Sequence, residues 1–215
     1  MSVIVRPYQP HDREALRQIA YDTALMGRSA GIFFDGEEFF KDALTLYFAE
    51  HEPHSAWVAE KNGVIAGYVV AARDESKMKK VFLTNILPGL IVDFLRSGMI
   101  FKVSNLRLFK GVVAGWFAGE LQSPDFSADY PAVLHINIRD GMRGSGAGTA
   151  LMNVLLDVFR RDGVKGVRIA TMSEKGASFF RKHGFSLLFE GKRSYFNEAA
   201  GCRVPLYIFG RKINP

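Results

Sequence analysis

The sequence predicts an α/β (α+β) fold in which about seven strands are interleaved with helices. Three observations carry that prediction. Two alternating runs, residues 55–60 and Val64–Ala72, are joined at Asn62-Gly63, the dipeptide that best suits a two-residue hairpin turn. Several segments place apolar residues on one face at helical spacing. Leu151, Val154, Leu155, Val158 and Phe159 fall at i, i+3, i+4, i+7 and i+8. Between these two kinds of segment lies Arg143-Gly144-Ser145-Gly146-Ala147-Gly148, preceded by the strand-like run Ala132–Ile138.

The elements follow in chain order. Residues 3–6 form an opening strand, ended by Pro7 and Pro10. Asp12 caps a helix over 13–24 with Ala15, Leu16, Ile19 and Ala20 on its buried side. Residues 27–36 are a loop carrying Phe33 and Phe34. A second helix, Glu37–Glu50, turns Phe40, Ala43, Leu44, Tyr47 and Phe48 inward, and the hairpin comes next. Residues 73–130 interrupt this layout with apolar stretches at 86–101 and 106–121 and a polar loop at 122–130. They are too apolar for a disordered linker and read as a helical insertion between the third and fourth strands. Beyond the glycine loop and its helix come a strand at 167–171, a helix at 175–182 stopped by Gly184, and a closing pair of strands at 186–196 and 203–210.

Composition narrows the class. A chain of 215 residues that is 48% hydrophobic and 23% charged can fill one core, so a single domain over residues 1–215 is expected. One cysteine, Cys202, cannot form an internal disulfide, and no apolar run of about 18 residues suggests a membrane span. The opening residues lack the apolar core of a signal peptide, so the cytoplasm is the expected compartment. Residues 73–110 hold eight basic against three acidic side chains, most of the net charge of +6. No base-reading motif accompanies that charge, so nucleic acid is not an expected partner.

The glycine loop carries the chemistry. Three glycines in five residues let the backbone bend tightly, and a helix N-terminus offers unpaired N–H donors to an anion. A P-loop requires Lys-Ser or Lys-Thr after its last glycine, but Gly148 is followed by Thr149-Ala150. The dinucleotide motif requires a glycine where Thr149 stands.

Arg143–Gly148 instead resembles the Gln/Arg-x-x-Gly-x-Gly/Ala signature of the GCN5-related N-acetyltransferases (GNAT), which binds the pyrophosphate of coenzyme A. Phe179-Phe180-Arg181-Lys182-His183-Gly184-Phe185 is similar to the helix end that follows in that family, and the order of elements matches. The long insertion, where the family usually has a tight turn, also resembles the acetyltransferase-like domain of O-GlcNAcases. The resemblance implies a central mixed, mostly antiparallel sheet with helices on both faces. It also implies acetyl-CoA as cofactor and a small-molecule or peptide amine as acceptor.

By that resemblance, the backbone of Ile136, Asn137 and Ile138 pairs with the pantetheine arm. An N–H near Ile138 polarises the thioester oxygen. Arg143 and the segment Gly144, Ser145, Gly146, Ala147, Gly148 and Thr149 take the pyrophosphate, with Ser173 and Phe180 at further cofactor positions. Many members have tyrosine where Phe180 stands, and phenylalanine has no proton to give a departing thiolate, so Tyr195 or Tyr130 is a substitute. His135 has the pKa range of a general base, and Asn137 shares its strand face; a histidine packed under a helix is the alternative. Phe33 or Phe34 contacts the acceptor. The histidines lack metal-ligand spacing, so no metal is expected. The insertion is expected to be a lid beside the acceptor site or a homodimer contact. A protein that binds acyl-CoA without efficient transfer is the competing function.

Overall fold

The computed structural model describes residues 3–214. Seven strands form one sheet: β1 (Ile4–Pro7), β2 (Ala56–Lys61), β3 (Val64–Ala72), β4 (Ala132–Ile138), β5 (Gly166–Thr171), β6 (Ser186–Lys192) and β7 (Pro205–Lys212). Their order is β1-β2-β3-β4-β5-β7-β6, and only β4 and β5 run parallel. The β2–β3 turn forms as expected, with Asn62 and Gly63 at φ of 56° and 75°, the left-handed pair that matches strand twist.

Helices cover both faces. On one, α6 (Ala147–Arg161) buries Leu151, Met152, Leu155, Leu156 and Phe159, and α7 (Glu174–Lys182) adds Ala177 and Phe180. On the other, α1 (Arg13–Asp22) and α2 (Glu37–Glu50) pack Leu16, Ile19, Tyr47 and Phe48 against Val58, Tyr68 and Val70. The inward face of α2 departs from the sequence reading, because Lys41 is buried on it. Its ammonium is held by Glu14, Glu37 and Glu38 at 3.1, 2.8 and 3.2 Å, which offsets the loss of hydration.

Asp12 does not cap α1 with its side chain. It is buried, and its carboxylate accepts two bonds from the Arg6 guanidinium, at 2.7 and 2.8 Å, and one from the Gln9 N–H at 2.8 Å. Burial alone pushes the Asp12 carboxyl up, but Arg6 and the Gln9 N–H outweigh it and hold the group below its ordinary value. Its stabilising contribution is therefore complete above about pH 3.9 and fades as pH falls through the lower, folded value. Asp12→Ala removes the two shortest bonds of the guanidinium, leaving it Glu60 at 3.2 Å, and is expected to cost about 1–3 kcal/mol at pH 7. In urea unfolding the gap between variant and parent should close at acid pH; a pH-independent gap contradicts this account.

Between β3 and β4 lie α3 (Glu75–Val81), a π-helical turn (Phe82–Ile86), α4 (Leu87–Arg96) and α5 (Val103–Phe117). The sequence reading had no element at α3, although the Asp74 side chain accepts from the Lys77 N–H as a helix cap does. Ile86 and Leu90 join the α1/α2 core, and Met99 packs with Phe33 and Phe34. The closing hairpin is shorter than expected. β6 ends at Lys192 because the Ser194 N–H and hydroxyl both donate to Glu120, and the chain then turns through Ser194–Phe196 and α8 (Asn197–Ala200).

Candidate functional site

β4 and β5 pair only at Ala132↔Val167 and Val133↔Arg168 and then diverge. The Arg139 N–H donates to the Ala66 carbonyl at 2.8 Å, which sets the parity of β4. Odd-numbered residues turn their main-chain groups to β3, and even-numbered ones turn theirs to β5. Beyond the divergence, the N–H and C=O groups of Ile136 and Ile138 therefore face the opening with no strand partner. Their side chains, by contrast, pack on the α6/α7 core. An unpaired inner edge of this kind accepts an extended ligand as an added strand.

The glycine loop follows directly. Gly144 and Gly146 sit at φ of 81° and 87°, conformations that favour glycine, and Gly146 is the N-cap of α6. The first intrahelical donor is the Ala150 N–H, bonded to Gly146, which leaves the preceding N–H groups free. No acidic residue lies in the first turn, so the positive end of the helix is not neutralised from within. Ser145 Oγ is buried without a hydrogen-bond partner, an orphan polar atom within the loop. Thr149 is exposed on the first turn, Ala147 is buried, and Gly148 lies against Phe179, where a Cβ would stand 3.3 Å from the ring. The Arg143 guanidinium bonds the Gly27 carbonyl at 3.2 Å and lies 3.6 Å from Asp140. It leaves no room for a Cβ at Gly27.

Arg143 and Ser173 line one cleft of about 860 Å³ with Met26, Glu174, Glu190, Lys192, Arg203 and Tyr207 among its walls. The phosphate-loop arginine and the N-terminus of α7 thus face the same space.

On the opposite face of β4, His135 is solvent-exposed with the Phe48 ring 5.5 Å away. The ring is reached by water yet hemmed in by protein, and that partial desolvation draws its pKa below the ordinary 6.5. The lowered pKa favours the neutral ring, which is open to solvent on one side and packs edge to face against Phe48 of α2 on the other. Next on the same face, Asn137 Nδ2 donates to the Tyr68 hydroxyl at 2.8 Å. Tyr68 is buried, and desolvation pushes its phenol up to about 12.

Residues 96–185 match the model of the acetyltransferase (GNAT) family. The sheet order, the β4/β5 divergence and the loop at α6 belong to one architecture. This is the GNAT acetyltransferase fold. SsHAT superposes over 100% of both chains with a TM-score of 0.70 and 23% identity. Salmonella typhimurium yncA, solved with its cofactor acetyl-CoA, aligns over 100% of this chain and 95% of its own, at a TM-score of 0.58 and 16% identity. The Drosophila melanogaster polyamine N-acetyltransferase, which forms N-acetylagmatine, aligns over 98% of this chain and 100% of its own, at 0.56 and 16%. No curated protein sequence matches the chain significantly.

Within this GNAT fold, Arg143 to Thr149, Ile136, Ile138, His135 and Asn137 gather around β4 and its C-terminal end. Other residues named from the sequence lie differently. Phe33 and Phe34 are not presented to a ligand: both are buried, with Phe33 against Phe40 and Phe196 at ring distances of 5.5 and 4.9 Å and Phe34 against Phe39 at 5.4 Å. Adjacent phenylalanines in a loop bury their rings wherever a core is in reach, and the insertion extends that core. Tyr195 faces α5 instead of β4. Glycines at 111 and 115 let its Cβ and ring lie against the helix, where any Cβ on Gly111 would stand 2.9 Å from it. Phe180 is buried among Phe179, Phe185 and Phe209, so its ring serves packing. Ser173 is the N-cap of α7; its oxygen accepts from the Gly176 N–H at 3.0 Å and its O–H remains free to donate.

Of the cleft residues that the sequence does not single out, Met26 and Tyr207 stand out. Met26, at φ of 55°, carries the α1–α2 loop to the glycine loop. Tyr207 on β7 donates its O–H to Glu174, and that carboxylate raises the phenol's pKa, so it stays protonated at neutral pH. Neither lies in a local motif; Tyr207 reads simply as one aromatic of an alternating strand.

Proposed function

We propose that the chain is an N-acetyltransferase that moves an acetyl group directly from acetyl-CoA to a primary amine of a small-molecule or peptide acceptor. The observation that carries the reading is the meeting of an unpaired β4 edge with a glycine-capped helix N-terminus holding the orphan Ser145 Oγ. Those donors fit a long ligand with a pyrophosphate at one end and amide groups along its arm. Acetyl-CoA, the cofactor bound to yncA, is such a ligand, and its thioester supplies the acetyl group.

In this reading the N–H groups of Gly144 to Thr149 and the Arg143 guanidinium hold the pyrophosphate. Ile136 and Ile138 align the arm through their main-chain groups, and orientation of this kind supplies several kcal/mol of the barrier. His135, neutral at pH 7, takes the proton of the acceptor ammonium, directly or through one water. Asn137, fixed by Tyr68, turns its amide oxygen to the same amine. Tyr207, paired with Glu174, is the phenol that stands in for the one absent at Phe180.

The second reading, an acyl-CoA-binding protein without efficient transfer, is favoured by Phe180 alone. Calorimetry with acetyl-CoA and thiol release with agmatine or a peptide bearing an N-terminal alanine, run on one sample, separate the two. We expect binding together with acceptor-dependent release, and Tyr207→Phe should slow release at unchanged affinity. Binding without release for any amine leaves the second reading; no binding removes both.

A further inference from the structure

We infer that the outer face of the insertion docks on an anionic lipid surface. Thirteen of the eighteen large hydrophobic side chains exposed among the described residues lie between Leu83 and Leu121. On α5, Val103, Leu106, Phe109, Val113, Trp116 and Phe117 fall within about 140° of one another around an ideal helix. All six are exposed, Phe117 to 78% and Trp116 to 58%. Ile91, Val92 and Leu95 of α4 and Phe101 between the helices, 81% exposed, extend the face along the chain. Monomeric proteins leave no such concentration in water without a use for it.

The inner side of α5 is already satisfied, so the chain cannot cover this face by turning the helix. Asn105 exchanges bonds with the Asp35 backbone at 2.8 Å in both directions and donates to the Met99 carbonyl at 2.9 Å. Gly111 and Gly115 close on Tyr195, and the Glu120 carboxylate just beyond the helix holds Ser194. The occupant therefore comes from outside.

Charge selects its chemistry. Residues 91–119, the span of this face, contain four basic side chains, Arg96, Lys102, Arg107 and Lys110, against one acid, Asp93. Lys102 and Arg107 reach Asp35 and Glu198 in exposed pairs at 3.5 and 3.4 Å, which water and salt weaken; Arg96 and Lys110 have no ion pair among the described residues. A second copy related by a two-fold axis would set these cations against one another. A bilayer of anionic lipid answers both features: its headgroups take the cations while the projecting rings enter the acyl boundary, which needs no complementary grooves. Among the described residues no helix is long and apolar enough to cross a membrane, so α5 would lie on the surface.

The test uses the full chain and sucrose-loaded vesicles of phosphatidylcholine, alone or with about three lipids in ten replaced by phosphatidylglycerol. Trp116 is an internal reporter, since the second tryptophan, Trp57, is buried. Expected are sedimentation with the anionic vesicles, a blue shift of Trp116 emission, and weakening by about tenfold or more at high salt. The pair Phe101→Ser and Phe117→Ser, both far into solvent, should lower partitioning by a similar factor with Tm unchanged. Absence of vesicle binding overturns the inference. So does a dimer in the absence of lipid, with Trp116 already blue-shifted, that this pair dissociates, or capture of a single-stranded oligonucleotide in place of vesicles. None of these readouts depends on acetyl transfer.

Discussion

Gly146→Asp is expected to weaken acetyl-CoA binding by about 100-fold or more, close to 3 kcal/mol. The substitution sets a carboxylate at the N-terminus of α6, where the unpaired N–H groups and the uncompensated helix end otherwise attract the pyrophosphate. Space is no obstacle, because a Cβ at Gly146 meets nothing within 4 Å. The backbone φ of 87° disfavours a side chain, a strain of about 1 kcal/mol that aspartate bears better than most residues. The melting temperature should therefore fall by only a few degrees while calorimetry records the loss. Unchanged affinity in a folded variant removes the loop from the cofactor site.

His135→Gln is expected to lower turnover at pH 7 by about 100-fold or more, the usual contribution of a positioned base, with little change in acetyl-CoA affinity. Exposure makes the ring available, and desolvation makes it neutral at that pH. The acid limb of kcat/KM should have its midpoint below 6.5 in the parent, since protonation of His135 at lower pH removes the base. In the variant that limb should vanish. The same depressed pKa means that folding disfavours the charged ring, so the group costs stability as pH falls through 6.5 and costs nothing above it. A variant that loses stability but keeps its activity per folded molecule, acid limb included, assigns His135 to structure.

The parts of the candidate site that were legible in the sequence are those built from neighbours in the chain. Strand alternation in Ala132–Ile138, the glycines of the loop and the helical spacing after Gly148 each report a local conformation, and all three formed where they were read. The parity of β4, with His135 and Asn137 on one face and Ile136 and Ile138 on the other, follows from the same alternation. The readings that failed depended on a distant partner. Phe33 and Phe34 stand in a loop that the family resemblance sets near an acceptor, yet Met99, Phe94 and Phe196, far along the chain, bury them. The strand drawn to Phe196 stops at Lys192 because Glu120 captures Ser194. No periodicity within either segment encodes those contacts.

For the insertion the division is sharpest. Its apolar helices and its excess of lysine and arginine are plain in the residues alone, because composition and spacing set helix formation and charge regardless of what lies nearby. Which side of α5 faces the body is another matter. Asn105, Gly111 and Gly115 turn inward because Asp35, Met99 and Tyr195 stand there to receive them, and that choice leaves Phe109, Trp116 and Phe117 in water. The opening between β4 and β5 arises in the same way. Alternation makes β4 a strand, but only the divergence of β4 from β5, set by how the whole sheet twists and packs, frees the Ile136 and Ile138 main chain for a ligand. Burial and pairing are properties of surfaces brought together across the chain, so they appear only once it has folded.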